Sequence, residues 1–180
     1  MAVYGGIDFS MTCPAITIGS SSDFSKCKSF FYTDKKKFEG NLGHDIFGMM
    51  MIPYENEMER YGNISDWAMA IMRKFNVSEV CIEGYSMGSK GNVFNIGENT
   101  GILKYNLWKA GIKYHTVAPT QAKKHFSGKG NANKCAMHDA FEEKTGISIV
   151  DMLGVGADKN PVSDVVDSYA MLNYGLENYF

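Results

Sequence analysis

Four carboxylates fall where the sequence is otherwise apolar. Asp8 follows Tyr4-Gly5-Gly6-Ile7 at the end of a strand-like run, and Glu83 ends Val80-Cys81-Ile82, which reads as a strand buried on both faces. Asp164 and Asp167 are three apart on a helical pattern that continues Tyr169-Ala170-Met171-Leu172, so both project from one face. Charged groups enter such settings when they are paired or bind metal. If the first and fourth strands are sheet neighbours, Asp8 and Glu83 end side by side, and the last helix carries Asp164 and Asp167 over the same point. Carboxylates gathered this closely repel, and protonation or bound cations must relieve the repulsion. An all-oxygen donor set suits Mg²⁺ or Mn²⁺ rather than zinc. Two such ions about 3.5–4 Å apart activate a water and stabilise the leaving oxygen of a phosphodiester.

The elements that must bring these acids together are legible in outline. Val3–Phe9, Ala15–Gly19 and Lys28–Thr33 are β-branched or aromatic runs separated by Gly, Pro or Ser, a pattern that predicts an antiparallel meander. Residues 34–53 carry several glycines and little periodicity and read as an irregular segment. Apolar residues at 3–4 spacing from Tyr54 to Phe75 predict a helix, and Glu79–Glu83 a fourth strand. A glycine-rich loop over 84–97 leads to a helix over Gly97–Ala110, then a fifth strand at Lys113–Val117. Pro119 opens a helix at Thr120–Phe126, another spans about 131–145, and the last runs from about Pro161 to Tyr179 with Ser163 as a cap candidate. The expected architecture is α/β: a five-stranded mixed sheet flanked by helices, in one domain covering residues 1–180.

Composition narrows the partners. The chain has 180 residues, 44% of them hydrophobic and 21% charged, with a formal charge of −2. These values exclude a disordered, collagenous or coiled-coil chain. The longest apolar run, Ile46–Ile52, is far shorter than the roughly 18 residues of a membrane span. Lys or Arg is absent before Lys26, so a secretory signal is not expected. Four cysteines without a CxxC pair point to a reducing compartment, and the cytoplasm of a bacterium or of a phage-infected host is the expected location. The small net charge hides strong asymmetry. Residues 99–138 hold seven lysines and no acid, whereas residues 139–180 hold eight acids and two lysines. A forty-residue stretch of that kind is the footprint of a polyanion site or a solvated basic face. Smaller motifs carry less: Gly88-Ser89-Lys90-Gly91 fails the Walker spacing, Gly154-Val155-Gly156 lacks a third glycine, and the four histidines lack metal-ligand spacing.

The ordered set of motifs resembles the RuvC family of Holliday-junction endonucleases, within the ribonuclease H-like superfamily. Gly6-Ile7-Asp8 with Ser10 is similar to the family's first-strand aspartate motif, and Val80-Cys81-Ile82-Glu83 to its strand-end glutamate. Gly97-Glu98-Asn99-Thr100-Gly101-Ile102 resembles the start of the following helix. Pro119–Lys124 and Gly128–Lys134 resemble the basic DNA-binding segment, and Ser163–Ser168 the closing two-aspartate motif. The resemblance runs from about residue 3 to 172.

It implies a ribonuclease H-like fold and a homodimer that nicks two opposed strands of a four-way DNA junction. Asp8, Glu83, Asp164 and Asp167 would be the catalytic metal ligands, for Mg²⁺ or Mn²⁺ and two ions per site. Lys123 and Lys134 match the family's phosphate-contacting lysines, with Lys124, Lys129 and Lys90 as further DNA contacts. Tyr85 lies one residue from the family's aromatic at the junction centre. The helix around 97–110 would be the dimer contact, with Leu103, Leu107 and Trp108 on its apolar face. The rival readings are a nuclease of this fold acting on flaps, forks or RNA–DNA hybrids, and a junction-binding scaffold that does not cut. A sugar-kinase fold shares the opening strands but needs roughly twice this length.

Overall fold

The computed structural model describes residues 2–85 and 93–180. The chain opens with β1 (Val3–Asp8), β2 (Ala15–Gly19) and β3 (Lys28–Thr33), each antiparallel to the next, as the three β-rich runs predict. A two-residue β4 (Gly40–Asn41) and β5 (Ile46–Met50) follow, then α1 (Glu57–Lys74), β6 (Val77–Glu83), α2 (Val93–Lys109) and β7 (Lys113–Val117). Four helices complete the fold: α3 (Pro119–Ser127), α4 (Lys134–Thr145), the short α5 (Ile149–Leu153) and α6 (Val162–Asn178). Pro161 holds the N-cap position of α6, so Ser163 lies inside the first turn rather than capping it.

Among the described residues the sheet has seven strands in the order β4-β5-β3-β2-β1-β6-β7, not five. Both additions come from residues 34–53. Their strand character is tertiary: β5 gains its ladder from β3, to which it runs parallel. Its middle residue, Gly48, fails as a strand former locally but is required in place, because a Cβ there would lie 1.7 Å from the Phe38 carbonyl oxygen. At the centre of the sheet β1 runs parallel to β6, so the first and fourth expected strands are neighbours, and β6 runs parallel to β7.

Helices cover both faces. Ile7, Ile16, Val80 and Ile82 pack with Ile64, Met69, Leu103 and Leu107 beneath α1 and α2. Ala15, Phe31 and Ile46 pack with Phe141, Val165, Val166 and Tyr169 beneath α4 and α6. Successive strand residues alternate faces, so Asp8 and Glu83, adjacent to Ile7 and Ile82, turn to the α6 side. Leu103 and Leu107 are completely buried in the core, which corrects the expectation that they form an exposed dimer face.

Candidate active site

Three elements converge on the acids. Ile7 pairs with Ile82 in the parallel β1–β6 ladder, so Asp8 and Glu83 leave the sheet side by side at the carboxyl ends of two adjacent strands. α6 lies directly on β1: a Cβ at Gly6 would sit 2.1 Å from Leu172 N and 2.2 Å from Ser168 O. Glycine is needed there because any side chain would lift the helix away from the strand. The contact is fixed by a buried polar link in which Thr17 Oγ1 shares hydrogen bonds with Ser168 Oγ at 2.8 Å and Ser29 Oγ at 2.9 Å. Tyr169 anchors the same helix from its hydroxyl to the Ser22 carbonyl at 2.6 Å. With α6 so placed, Asp164 and Asp167 in its first turns face the ends of β1 and β6.

Asp8, Asp164 and Asp167 are buried and Glu83 is half-buried. Burial raises the pKa of Asp8 well above the ordinary range, and the charges of Glu83, Asp164 and Asp167 raise it further. Burial and then Asp167 push Glu83 up to about 7. Asp164 is pushed up to about 6, chiefly by burial, with Lys134 opposing and Asp167 adding. Each pKa therefore reports a neighbouring carboxylate, which is the mutual repulsion that the sequence spacing predicts. Nearby Cys13 is buried, and its thiol is pushed far above its usual range by desolvation and by Asp164 and Asp8.

Asp8 and Glu83 open onto a cleft of about 380 Å³ that Ser10, Tyr85, Thr100 and Lys123 also line. Lys123 reaches it from α3, whose first helical residue is Pro119. Tyr85 is exposed at the rim, with Lys104 Nζ 5.1 Å from its ring centroid. Lys124 and Lys129 are exposed on α3 and on the turn that follows it. Lys134, expected to face DNA, points into the acid group instead: its Nζ donates to Asp167 Oδ2. Burial works against that ammonium, yet Asp167, Asp8 and Asp164 together hold its pKa above the ordinary lysine value. Lys90, together with the Gly88–Gly91 motif, lies outside the described residues.

Thr100 and Ser168 lie within motifs quoted from the sequence but carry no expected role there: Thr100 is buried on α2 and lines the cleft, and Ser168 links to Thr17. Small hydroxyl residues give no local sign of such contacts. The donor chemistry fits a hard divalent cation, since the gathered side chains are oxygen donors whose charges are only partly offset by Lys134. The set is gathered rather than closed: among the described residues, no three His, Cys, Asp or Glu side chains form a ready-made metal cage.

A mixed sheet with carboxylates at the ends of two adjacent central strands and on the helix crossing them is the arrangement expected of a ribonuclease H-like fold. Comparison narrows the class. The signature of the family described as crossover junction endodeoxyribonuclease RuvC matches residues 41–143, more than half of the chain. The chain belongs to that family of DNA-cutting hydrolases. The matched span holds Glu83 and the basic stretch, but not Asp8, Asp164 or Asp167.

Likeness of fold extends over nearly the whole chain. Thermus thermophilus RuvC in complex with a Holliday junction substrate superposes with a TM-score of 0.66 at 16% identity, covering 96% of this chain and 92% of that one. A second Thermus thermophilus RuvC structure gives 0.61 at 19% identity, over 95% and 91%. The yeast mitochondrial Holliday junction resolvase Ydc2 gives 0.55 at 13% identity, over 98% and 80%. A search of curated proteins finds no match. Among the described residues, no helix is long and apolar enough to cross a membrane.

Proposed function

We propose that this chain is a Holliday-junction resolving enzyme, one nuclease domain per protomer, which cuts branched DNA by metal-dependent phosphodiester hydrolysis. The observation that carries the reading is the buried group of Asp8, Glu83, Asp164 and Asp167 on a chain of this family. These four residues would hold Mg²⁺ or Mn²⁺, two ions per site. When bound, such ions polarise the scissile phosphate, generate hydroxide from water and stabilise the leaving oxygen. The protein's own part is to gather and orient the carboxylates on three rigid elements, where bound cations would offset the repulsion that raises their pKa values. Lys123 at the cleft, with Lys124 and Lys129 beyond it, would grip phosphates through a salt-sensitive, sequence-independent contact. Tyr85 offers an aromatic face at the rim for an unstacked base near a junction centre.

Paired nicks require two sites, and α2 supplies a surface suited to a second copy. Phe94, Tyr105 and Trp108 are 80%, 58% and 70% exposed. Gly97 and Gly101 lie among them with open space where a Cβ would be, so a neighbouring helix can approach closely. Met58 of α1 is also exposed and lines a shallow cleft with Gly101, Ile102 and Tyr105. A homodimer through α2 follows, with Trp108 in the contact and Leu103 and Leu107 replaced by residues on the outward face.

Labelled four-way junctions, flaps, forks and RNA–DNA hybrids, each incubated with the protein and Mg²⁺, test the reading. Four-way junctions should be cut by symmetric nicks in two opposed strands and in preference to the others. Preferential cutting of flaps or hybrids assigns another substrate, and binding without cutting by an intact protein assigns a scaffold.

A further inference from the structure

Lys134 is the first residue of α4, following the cap Asn133, whose Oδ1 accepts from Ala136 N at 2.9 Å. Its ammonium does not stand among the outward-facing lysines of the basic stretch. It is paired with Asp167, whose side chain is only 8% exposed, and it feels Asp8 and Asp164 as well. A divalent cation held by this acid group would compete with the ammonium for Asp167. An ammonium and a dication cannot share one carboxylate oxygen without strong like-charge repulsion in a poorly solvated site. One of the two must move, and the structure indicates which. Asp167 sits on α6, whose backbone is packed against β1 at Gly6. Lys134 is a long, flexible side chain, 40% exposed, at the start of a helix.

We infer that Lys134 and a divalent cation are alternative partners of Asp167, so that metal loading turns the Lys134 ammonium outward into the DNA cleft. This rests on the reading of the four acids as a metal site. Lys134 is then a positioning residue with two partners in succession. Paired with Asp167 it offsets part of the repulsion among the acids. Displaced, it carries an unmatched positive charge beside Lys123, where a DNA phosphate completes it by a charge-assisted hydrogen bond. Metal binding and DNA binding thereby become coupled through one side chain, without any movement of the sheet.

The test measures metal binding with no DNA present. Mn²⁺ is titrated calorimetrically into the wild-type protein, Lys134→Met and, as a comparison, Lys144→Met, whose lysine is exposed in the last turn of α4. Removing the competing ammonium should tighten Mn²⁺ binding about tenfold in Lys134→Met, equivalent to about 1.4 kcal/mol. Lys144→Met should bind as the wild type does. In the wild type, the NMR signal of the Lys134 side chain, assigned by its loss in Lys134→Gln, should shift on addition of Mg²⁺. That readout remains available if Lys134→Met fails to fold. Unchanged affinity in Lys134→Met, or a Lys134 signal that stays in place as Mg²⁺ saturates, overturns the inference and leaves the metal site standing. If the folded wild type and variants all fail to bind Mn²⁺, the metal site itself falls, and the inference with it.

Discussion

Buried carboxylates whose pKa values are raised carry a consequence for stability that can be measured. Glu83 is held up to about 7 and Asp164 to about 6, against ordinary values of 4.5 and 3.8. Across the interval from about pH 4 to about pH 7 the native state therefore binds more protons than the unfolded chain. The stability contributed by these groups is complete below their unfolded values and is lost as pH rises through the folded ones. In chelator-treated protein, urea midpoints should decline between pH 5 and pH 7, and saturating Mg²⁺ should remove the decline. A midpoint that rises over that interval would mean that the acids are not gathered as described. These acids were legible in the sequence because each interrupts an apolar run. The position of Lys134 was not legible, since its spacing within a lysine-rich stretch carries no sign that its head turns inward to Asp167.

At the scale of elements, the site depends on how closely α6 approaches β1. Gly6 is the residue that permits it, and Gly6→Ala forces a methyl group into the backbone of Ser168 and Leu172. Such overpacking costs about 3 kcal/mol. Urea denaturation of Gly6→Ala should show that loss, and cleavage should fall further than stability alone requires, because Asp164 and Asp167 move with the helix. A Gly6→Ala protein with wild-type stability would refute the close contact. The strands that hold Asp8 and Glu83 were readable because their β-branched and aromatic runs agree with their tertiary roles. β5 was not, because Gly48 and the methionines have weak strand preference and its pairing is supplied by β3. The helical period of α2 was legible, but which of its faces turns inward was not: Leu103 and Leu107 are taken up by the core beneath α1.

Taken as a whole molecule, the uneven charge acquires a spatial meaning. Lys123 of the stretch from 99 to 138 lines the cleft beside Asp8 and Glu83, while Asp164 and Asp167 of the acidic C-terminal region are buried and act electrostatically on that pair. On the proposed reading, the small net charge would conceal lysines that hold DNA phosphates beside acids that hold cations. The outward face of α2 belongs to the same scale. Replacing Tyr105 and Trp108 together by Glu should leave folding intact, because both are largely exposed, and should convert a dimer into monomers in sedimentation experiments. Junctions should then receive single nicks instead of paired ones. A wild-type protein that is monomeric at every concentration, or a double variant that stays dimeric, would place the second copy elsewhere or nowhere.

Asp8→Asn tests most directly whether the four acids hold the ions that would cut DNA. The substitution keeps the size of the side chain and removes its charge. Cleavage of a synthetic four-way junction in Mg²⁺ is measured beside junction binding for the wild type and the variant. With the metal ligand weakened, several kcal/mol of charge stabilisation are lost, and cleavage should fall by about a thousandfold or more. Junction binding should remain within about threefold of wild type, because phosphate contacts carry the affinity. Undiminished cutting by Asp8→Asn would contradict the account.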